Sequence, residues 1–418
     1  MGYQLGKMAS KTERSNDIFN EKDFKEISKM NNHAKNKYIL QFLLYSPRVY
    51  SGLDHLMVEV TKQAATNGYT NVCIYSDTME HMPQLQTDIE KAGGIVELVR
   101  SSNLLQDIWH LYRKYRPTIV DTHFVNKVKL WTCIFSLLFG AKHYTHIHSQ
   151  IGPNVKEYAK QKGYHKRFVL GIYYWILGIL SGKILCVSEL NRVQYMEWSY
   201  GAKNKAITLY MGTQIHAPSY SKLEARDLLQ IPKNEYVITN VSAIEAIKGI
   251  DLIIKAVSLL KQKGLNVLFA HLGGLRGNTD EQQQYADSLK QLVMELDVED
   301  NIIWLGRRND ISDILSFADC YVHPSWTEGL PSALVEAAMA GLPLIATRAG
   351  GMPEIVIDEY NGSLIEPGNY IQLADAIEQV LLKKHSYGEQ AKKLVCQTFD
   401  QNRQASKLLN LYNIAEKN

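Results

Sequence analysis

The chain has 418 residues, of which 45% are hydrophobic and 21% are charged, and its formal net charge at pH 7 is +3. These values exclude a disordered chain, and they give no reason to expect a nucleic-acid partner because the charges are nearly balanced. The length exceeds one ordinary hydrophobic core and predicts two domains of roughly 150–200 residues each.

The start of the chain, residues 1–36, is polar and mixed in charge, so we expect an extension that is not a signal peptide. The longest apolar run, residues 168–180, is shorter than the ~20 residues that a membrane-spanning helix needs. The five cysteines are widely spaced and form no zinc or redox motif. We therefore expect no transmembrane segment and a cytoplasmic protein with buried thiols.

From residue 37 onward, short β-rich runs alternate with longer amphipathic stretches, the pattern of βαβ units on a parallel sheet. The first series of predicted strands spans 38–45, 71–75, 95–99, 118–122, 143–147, 183–187 and 206–210. After a polar break at 211–234, the second series spans 236–241, 267–271, 302–305, 320–323, 344–346 and 362–365. The α/β pattern predicts two Rossmann-like, doubly wound domains, residues 37–212 and 213–384, facing each other across a cleft. Residues 385–418 are predicted to form a helical tail that packs back on the first domain.

The densest functional signal lies between residues 323 and 354. A predicted strand ends at His323, a loop carries Glu328, and a helix is expected to begin near Pro331. Free backbone N–H groups at such a helix start suit a phosphate, and Glu336, further along the helix, can accept hydrogen bonds from both hydroxyls of a ribose. The candidates for binding a phosphate and a ribose in this turn are Gly329, Leu330, Pro331, Ser332 and Glu336, and Glu328 is a candidate for contact with sugar hydroxyls. Two solvated glutamates around a helix start would show the same spacing.

The sequence segments around these glutamates resemble those of a known protein family. EGLPSALVEAAMAGLPLIAT, followed by GGMPE, resembles the signature of family 4 glycosyltransferases, and the resemblance extends over most of residues 38–382. KGIDLIIKAV is similar to the family segment whose lysine, here Lys248, meets the donor diphosphate, and Gly52 stands at the place of the glycine loop. The resemblance implies the GT-B fold and a hexosyltransferase that retains anomeric configuration. It also implies a nucleotide-diphosphate sugar as co-substrate, with no cofactor.

Three motifs of the first half place polar side chains at predicted strand ends facing the cleft. VDTHF carries His123, YTHIHS carries His146 and His148, and CVSELNR carries Ser188. The resemblance implies that His148 lies near the reacting sugar, which makes His148 and Glu328 the catalytic candidates and His123 and Ser188 acceptor or cleft residues. Structural roles in the core fit the histidines as well.

One departure from the family pattern concerns the diphosphate. Ala243 stands where the family usually has an arginine, so a two-cation clamp with Lys248 is incomplete, and Arg307 or Arg308 is the candidate to supply charge near the nucleotide. No Asp-x-Asp pair follows a predicted strand, so we expect no metal ion. Backbone N–H groups and Lys248 would then stabilise the leaving phosphate, which the resemblance implies also accepts the acceptor's proton.

The acceptor is indicated only by a basic and apolar region. Basic residues precede two apolar stretches, namely Lys156, Lys160, Lys162, Lys166 and Arg167 before 168–180, and Lys127 and Lys129 before 130–139. This pattern suits an anionic surface on the inner face of the cell membrane and a lipid-linked or growing glycan as acceptor in surface polysaccharide synthesis. A buried helix with a solvated basic end fits it equally. Two alternatives stay open: a sugar-phosphate synthase with a soluble acceptor, and a non-catalytic nucleotide-sugar-binding protein, which Ala243 motivates.

Overall fold

The computed structural model describes residues 37–45, 51–76, 83–100, 102–124, 126–148, 164–200, 205–214, 217–232, 235–275, 279–383 and 386–414. The predicted extension 1–36 lies outside these residues. So do Lys156, Lys160 and Lys162 of the predicted basic region.

The first domain is built on a seven-stranded parallel sheet. Its strands are β1 (Lys37–Phe42), β2 (Tyr69–Ser76), β3 (Ile95–Val99), β4 (Ile119–Thr122), β5 (Lys142–Ile147), β6 (Lys183–Cys186) and β7 (Ala206–Thr208), in the order β3-β2-β1-β4-β5-β6-β7. Its helices are α1 (Gly52–Thr66), α2 (Pro83–Lys91), α3 (Leu104–Tyr115), α4 (Asn126–Phe139), α5 (Tyr164–Leu180) and α6 (Glu189–Trp198). The central strand β1 is buried on both faces because helices cover both sides of a parallel sheet, and Leu40 pairs with Val72 and Val120 on its two neighbours.

The second domain repeats this plan with a six-stranded parallel sheet. Its strands are β8 (Tyr236–Val241), β9 (Val267–Leu272), β10 (Ile302–Gly306), β11 (Cys320–His323), β12 (Leu344–Thr347) and β13 (Gly362–Ile365), in the order β10-β9-β8-β11-β12-β13. Its helices are α7 (Lys222–Leu228), α8 (Ile250–Gln262), α9 (Asp280–Glu295), α10 (Ile311–Phe317), α11 (Ser332–Met339), α12 (Tyr370–Lys383) and α13 (Tyr387–Thr398). A last helix, α14 (Gln401–Leu411), follows.

The predicted fold class is confirmed, and each of the predicted strands is present with small differences at its ends. β1 ends at Phe42 rather than at residue 45, because Leu44 adopts a left-handed backbone with φ of 54°. The helix after His323 begins at Ser332, so Pro331 precedes the first turn instead of lying in it. Both changes are local, and they leave the functional loops at the carboxyl ends of the strands.

The chain crosses between the domains twice. Thr213 of the first crossing forms a parallel bridge with Asp400 of the second, so the two connections run side by side. Within the region predicted as a tail, α13 packs against α11 in the second domain, whereas α14 packs against α1 in the first. Gln401 Nε2 donates to the backbone oxygen of His55 at 2.9 Å, and Tyr144 donates to the backbone oxygen of Leu411 at 2.7 Å.

Helices α4 and α5 pack against each other and expose apolar side chains to solvent. We call this set the apolar face: Trp131, Leu137 and Leu138 of α4, and Phe168, Val169, Trp175 and Ile179 of α5. Within the residues that the structure describes, every helix falls short of the length or the apolar composition required to cross a membrane.

Two basic residues expected on this surface are instead buried, so that part of the prediction was wrong. Lys129 donates to the backbone oxygen of His146 at 2.7 Å, and burial lowers its pKa to about 8. Arg167 lies over the rings of Trp198 and Tyr200 and donates to backbone oxygens of α6. Each cation is held inside by carbonyl oxygens or aromatic faces, which replace its hydration. Lys166 is exposed.

Candidate functional site

A cavity of about 500 Å³ lies between the carboxyl ends of the two sheets. The first domain contributes the end of β1, the start of α1 and the loops after β4 and β5. The second contributes the loops after β8 and β11 and the start of α11. The lining residues are Tyr45, Ser51, Gly52, Leu53, Phe124, His148, Met211, Gly212, Val241, Ser242, Ala243, Lys248, His323, Glu328, Leu330, Pro331, Ser332 and Ala333.

Glu328 is the polar centre of the second-domain wall. Lys248 Nζ donates to its Oε1 at 2.5 Å, Ser325 Oγ donates to the same oxygen at 3.2 Å, and His323 Nε2 lies 3.1 Å from it. Burial by itself would raise the pKa of Glu328, but the hydrogen bond and charge of His323 and the charge of Lys248 lower it to about 2. The cavity therefore presents an ionised carboxylate beside a cation at neutral pH.

Glu336, four residues into α11, behaves in the opposite way. The Thr213 hydroxyl donates to its Oε1 at 3.3 Å. Burial raises the pKa of Glu336 to about 7, and the hydrogen bond from Thr213 offsets this only in part. The side chain thus keeps acceptor capacity beyond the bond from Thr213, and the two predicted glutamates differ in charge state because their surroundings differ.

Two glycines hold the loop that carries Glu328. Gly350 has φ of +59°, and a Cβ on it would lie 1.9 Å from the backbone oxygen of Glu328. A Cβ on Gly351 would lie 2.3 Å from the backbone oxygen of Gly329, to which the Gly351 N–H donates at 3.0 Å. Any larger residue would push the acidic loop away, which explains the GG pair after β12 in physical terms.

The first domain approaches the α11 N-terminus through Gly52. A Cβ on Gly52 would lie 3.2 Å from Cβ of Ser332, so this glycine lets the two domains come close. Ser51 caps α1 in a capping box with Asp54, and the hydroxyl of Tyr45 also donates to Asp54. The cap fixes the glycine turn at the cavity edge.

Three histidines stand together where β4 and β5 end. His123 Nδ1 lies 2.9 Å from His148 Nε2, and the His123 and His146 rings stack with centroids 4.2 Å apart and planes at 14°. Burial, and next the charge of His146, lower the pKa of both His123 and His148 well below the ordinary range. Phe124 stacks on His148 with centroids 4.2 Å apart. His148 reaches the cavity as a neutral imidazole against an aromatic wall.

The same three histidines are the metal-binding candidate in the described part of the chain. Their ring nitrogens lie within 4.8 Å of one another. The lone pairs of imidazole lie in the ring planes, so two stacked rings cannot both point at one ion, and the 2.9 Å contact is a hydrogen bond. The arrangement fits a hydrogen-bonded cluster better than a metal centre. The expected independence of metal stays a prediction.

Most of the predicted site residues meet in this cavity, and five stand apart from its lining. Gly52, His148, Lys248, Glu328, Leu330, Pro331 and Ser332 line it. His123 lies behind His148, Glu336 lies behind Thr213, and Gly329 supports the acidic loop. Arg307 packs on Gly274 and donates to the backbone oxygen of Leu275. Ser188 caps α6, where its Oγ accepts from the N–H of Asn191.

Sequence reasoning missed a contact that joins the two domains. The carboxylate of Glu354, in the GGMPE segment, accepts from the backbone N–H groups of Glu189 at 2.8 Å and Leu190 at 3.2 Å. These are orphan donors at the N-terminus of α6, where the helix dipole favours a negative charge. Tyr45, Phe124 and Thr213 were also missed. Only Phe124, directly after the strand-end His123, had a local signal.

Two facing Rossmann-like domains, with an acidic loop and a helix N-terminus at the cleft, define a GT-B architecture. Residues 221–395 match the family described as Glycosyl transferases group 1. The matched residues make up most of the second domain, which is therefore similar to this family. This match confirms the family resemblance drawn from the motifs.

The relatives are glycosyltransferases, and the solved structures share the fold. The D-inositol 3-phosphate glycosyltransferase of Mycolicibacterium smegmatis is 30% identical over 163 residues, covering 38% of this chain and 36% of that protein. The UDP-Gal:alpha-D-GlcNAc-diphosphoundecaprenol alpha-1,3-galactosyltransferase of Escherichia coli is 24% identical over 295 residues, covering 68% of this chain and 72% of that protein. The crystal structure of Anabaena HepE with UDP and glucose superposes with a TM-score of 0.74 at 18% identity, covering 90% of this chain and 99% of HepE. The chain thus matches about a third of the first relative and nearly all of HepE.

Proposed function

We propose that the protein transfers a hexose from a UDP-sugar to an acceptor with retention of anomeric configuration and without a metal ion. The observation that carries this proposal is the single cavity in which Lys248 and Glu328 stand beside the α11 N-terminus and opposite His148. A transferase is supported by the family match, and a uridine donor by the names of the E. coli relative and of the HepE complex.

Each part of the donor has a matching group in the proposal. The diphosphate lies at the backbone N–H groups of Ser332 and Ala333. It also takes the place of Glu328 as the partner of the Lys248 ammonium group. The ribose hydroxyls donate to Glu336, and the sugar lies between Glu328 and His148. Charge that develops on the leaving phosphate is stabilised by fixed N–H groups and by Lys248, and that phosphate accepts the proton of the attacking hydroxyl.

A donor assay tests this proposal. UDP-glucose, UDP-galactose and UDP-N-acetylglucosamine are incubated with the protein in excess EDTA, and UDP release and the anomeric configuration of the product are measured. We expect release with one donor, an α-linked product, and loss of activity in Glu336→Ala. Glu389→Ala, on the exposed side of α13, is the matched control and should behave as the wild type. A folded protein that is inactive with each donor, or an inverted product, would contradict the proposal.

The proposed acceptor is a lipid-linked glycan at the inner face of the membrane. The apolar face on α4 and α5 belongs to the first domain, the side of the cavity opposite the donor, and exposed Lys166 borders it. The printed name of the E. coli relative specifies a diphosphoundecaprenol-linked acceptor. Aromatic and aliphatic side chains beside a cation suit the interface of an anionic bilayer.

Sedimentation with phosphatidylglycerol vesicles tests the membrane proposal. We expect binding by the wild type and reduced binding by the double variant Phe168→Ser and Val169→Ser. Leu223→Ser, an equally exposed leucine on α7 of the second domain, is the matched control. Equal sedimentation of the double variant and Leu223→Ser would show that the apolar face does not bind the membrane. It would then favour a soluble acceptor, as the printed name of the inositol phosphate relative describes for that protein.

A non-catalytic nucleotide-sugar-binding protein is the second candidate, and Ala243 favours it. Ala243 lines the cavity on the same wall as Lys248, so the wall carries one cation where the family pattern has two. Calorimetric titration with UDP separates the candidates when it is combined with the donor assay. Binding that Lys248→Ala abolishes, without turnover of any donor, would support the non-catalytic protein.

A further inference from the structure

A hydrogen-bonded chain connects the last helix of the protein to the cavity. The hydroxyl of Tyr412, directly after α14, donates to Asp121 Oδ2 and accepts from Gln41 Nε2 at 3.1 Å. Gln41 Oε1 lies 3.1 Å from His123 Nε2, and His123 Nδ1 lies 2.9 Å from His148 Nε2. Tyr412, Gln41, His123 and Asp121 have at most 2% of their surface exposed, so solvent does not compete for these bonds.

The direction of each hydrogen bond in this chain follows from its first acceptor. Asp121 is ionised at neutral pH, because the charge of His146 and the hydrogen bonds from His146 and Tyr412 outweigh burial and lower the pKa of Asp121 to about 2. A carboxylate only accepts, so the single hydroxyl proton of Tyr412 points at Asp121. The Tyr412 oxygen can then only accept, which places the amide nitrogen of Gln41 toward Tyr412.

The direction continues through the two histidines. With its nitrogen toward Tyr412, Gln41 presents its carbonyl oxygen to His123, so His123 Nε2 must carry the proton. Neutral His123 then offers a lone pair at Nδ1, and His148 Nε2 must donate to it. A neutral His148 with its proton on Nε2 has a bare Nδ1 as its remaining nitrogen.

We propose that Tyr412 is a positioning residue that fixes the tautomer of His148, so that His148 presents the lone pair of Nδ1 to a hydroxyl donor in the cavity. The consequence for transfer rests on the proposed function, whereas the tautomer itself does not. The segment that returns to the first domain at the carboxyl end of the chain therefore has a second role besides packing α14 against α1. It sets the hydrogen-bond polarity of a cavity side chain that stands 264 positions earlier in the sequence.

Removing the Tyr412 hydroxyl gives a defined expectation. In Tyr412→Phe, the amide of Gln41 loses its acceptor, so its two orientations become comparable in energy. The flipped amide donates to His123 Nε2, which moves the proton of His123 to Nδ1 and that of His148 from Nε2 to Nδ1. The variant should therefore hold a mixture of the two His148 tautomers.

NMR of the full-length protein with ¹⁵N-labelled histidine rings reads this directly, because protonated and bare ring nitrogens differ in chemical shift. His148 signals are assigned by their loss in His148→Asn. We expect Nε2–H with bare Nδ1 in the wild type, and averaged or doubled signals in Tyr412→Phe and Gln41→Leu. Tyr144→Phe is the matched control, because it removes another hydrogen bond to the same end of α14, at Leu411, and leaves the chain intact. A proton on Nδ1 of wild-type His148, or unchanged signals in both chain variants, would overturn the inference.

Kinetics separate this inference from the proposed function. For the donor that the wild type uses, we expect kcat to fall about tenfold in Tyr412→Phe, as for one hydrogen bond lost in the transition state. The Kd for UDP should stay within about twofold, because the diphosphate is assigned to the other domain. An equal loss of kcat in Tyr144→Phe would show anchoring alone and would overturn the positioning role. A wild type without transfer would contradict the proposed function, and the NMR comparison would still decide the tautomer.

Discussion

Glu336 should destabilise the protein as the pH rises, and Glu336→Gln should remove that penalty. Burial raises its pKa from the ordinary 4.5 to about 7. Between these two values the folded protein holds a proton that the unfolded chain has released. Stability therefore falls as the pH rises from about 4.5 to about 7, and it levels off above that range.

The size of the effect follows from the same two values. Moving the pKa of an acid from 4.5 to about 7 corresponds to about 3 kcal/mol at pH 8, where the penalty is nearly complete. At pH 5 most of it is absent. The carboxyl is partly buried, so about 3 kcal/mol is an upper limit. We expect the difference in free energy of unfolding between Glu336→Gln and the wild type to increase by about 2 kcal/mol, in favour of Glu336→Gln, when the pH rises from 5 to 8.

Urea unfolding followed by tryptophan fluorescence measures this difference. The free energy of unfolding is determined at pH 5 and pH 8 for the wild type, Glu336→Gln and the exposed control Glu389→Gln. Contributions of other titrating groups cancel in the comparison. Parallel pH dependence in the wild type and Glu336→Gln would refute the reasoning, because the carboxyl would then titrate alike in the folded and unfolded chains.

Three further changes test the geometry of the cleft. Gly350→Ala should abolish UDP binding and destabilise the protein by more than the ~1–2 kcal/mol that a left-handed backbone costs a residue with a side chain. Gly264→Ala is the control, because Gly264 also has a positive φ but lies in open space, and this variant should still bind UDP. Thermal unfolding and UDP titration compare them. Glu354→Gln should weaken the domain contact by about 1 kcal/mol and increase the radius of gyration in X-ray scattering, and an unchanged radius contradicts this. Ala243→Arg should tighten UDP binding roughly tenfold by calorimetry, and unchanged affinity contradicts that.

The fold was predictable because its signals are local. A strand buried on both faces of a parallel sheet must be a short continuous apolar run, and β11, with the sequence CYVH, shows this. The turn after it was predictable for the same reason, since acidic, glycine and proline residues lie within eight positions. Strand ends were less certain, because the left-handed Leu44 that ends β1 has no signal in its residue type.

The long-range contacts were not predictable, because their partners are distant in sequence. From its sequence neighbours, Glu354 is predicted to be part of a glycine turn. Its role as an acceptor between the domains depends on the N–H groups at the start of α6, 165 positions away. Tyr412 reads as an apolar tail residue, and its hydroxyl acquires a role only beside Asp121, 291 positions earlier. Side-chain burial also reversed two expectations, since Lys129 and Arg167 look solvated in the sequence.

The site combines features that a stable fold alone would not select. Glu336 keeps a carboxyl where burial opposes its charge, and Gly350 supplies a left-handed backbone, without a Cβ, that leaves room for the loop in which Glu328 stands beside Lys248. The buried carboxyl opposes folding, and under the proposed function its cost is offset when ribose hydroxyls donate to it. A ligand that satisfies Glu336 should therefore stabilise the protein most above pH 7, where the unliganded carboxylate is most costly. Under the proposed function, the pH at which a nucleotide protects the fold is thus coupled to the titration of Glu336.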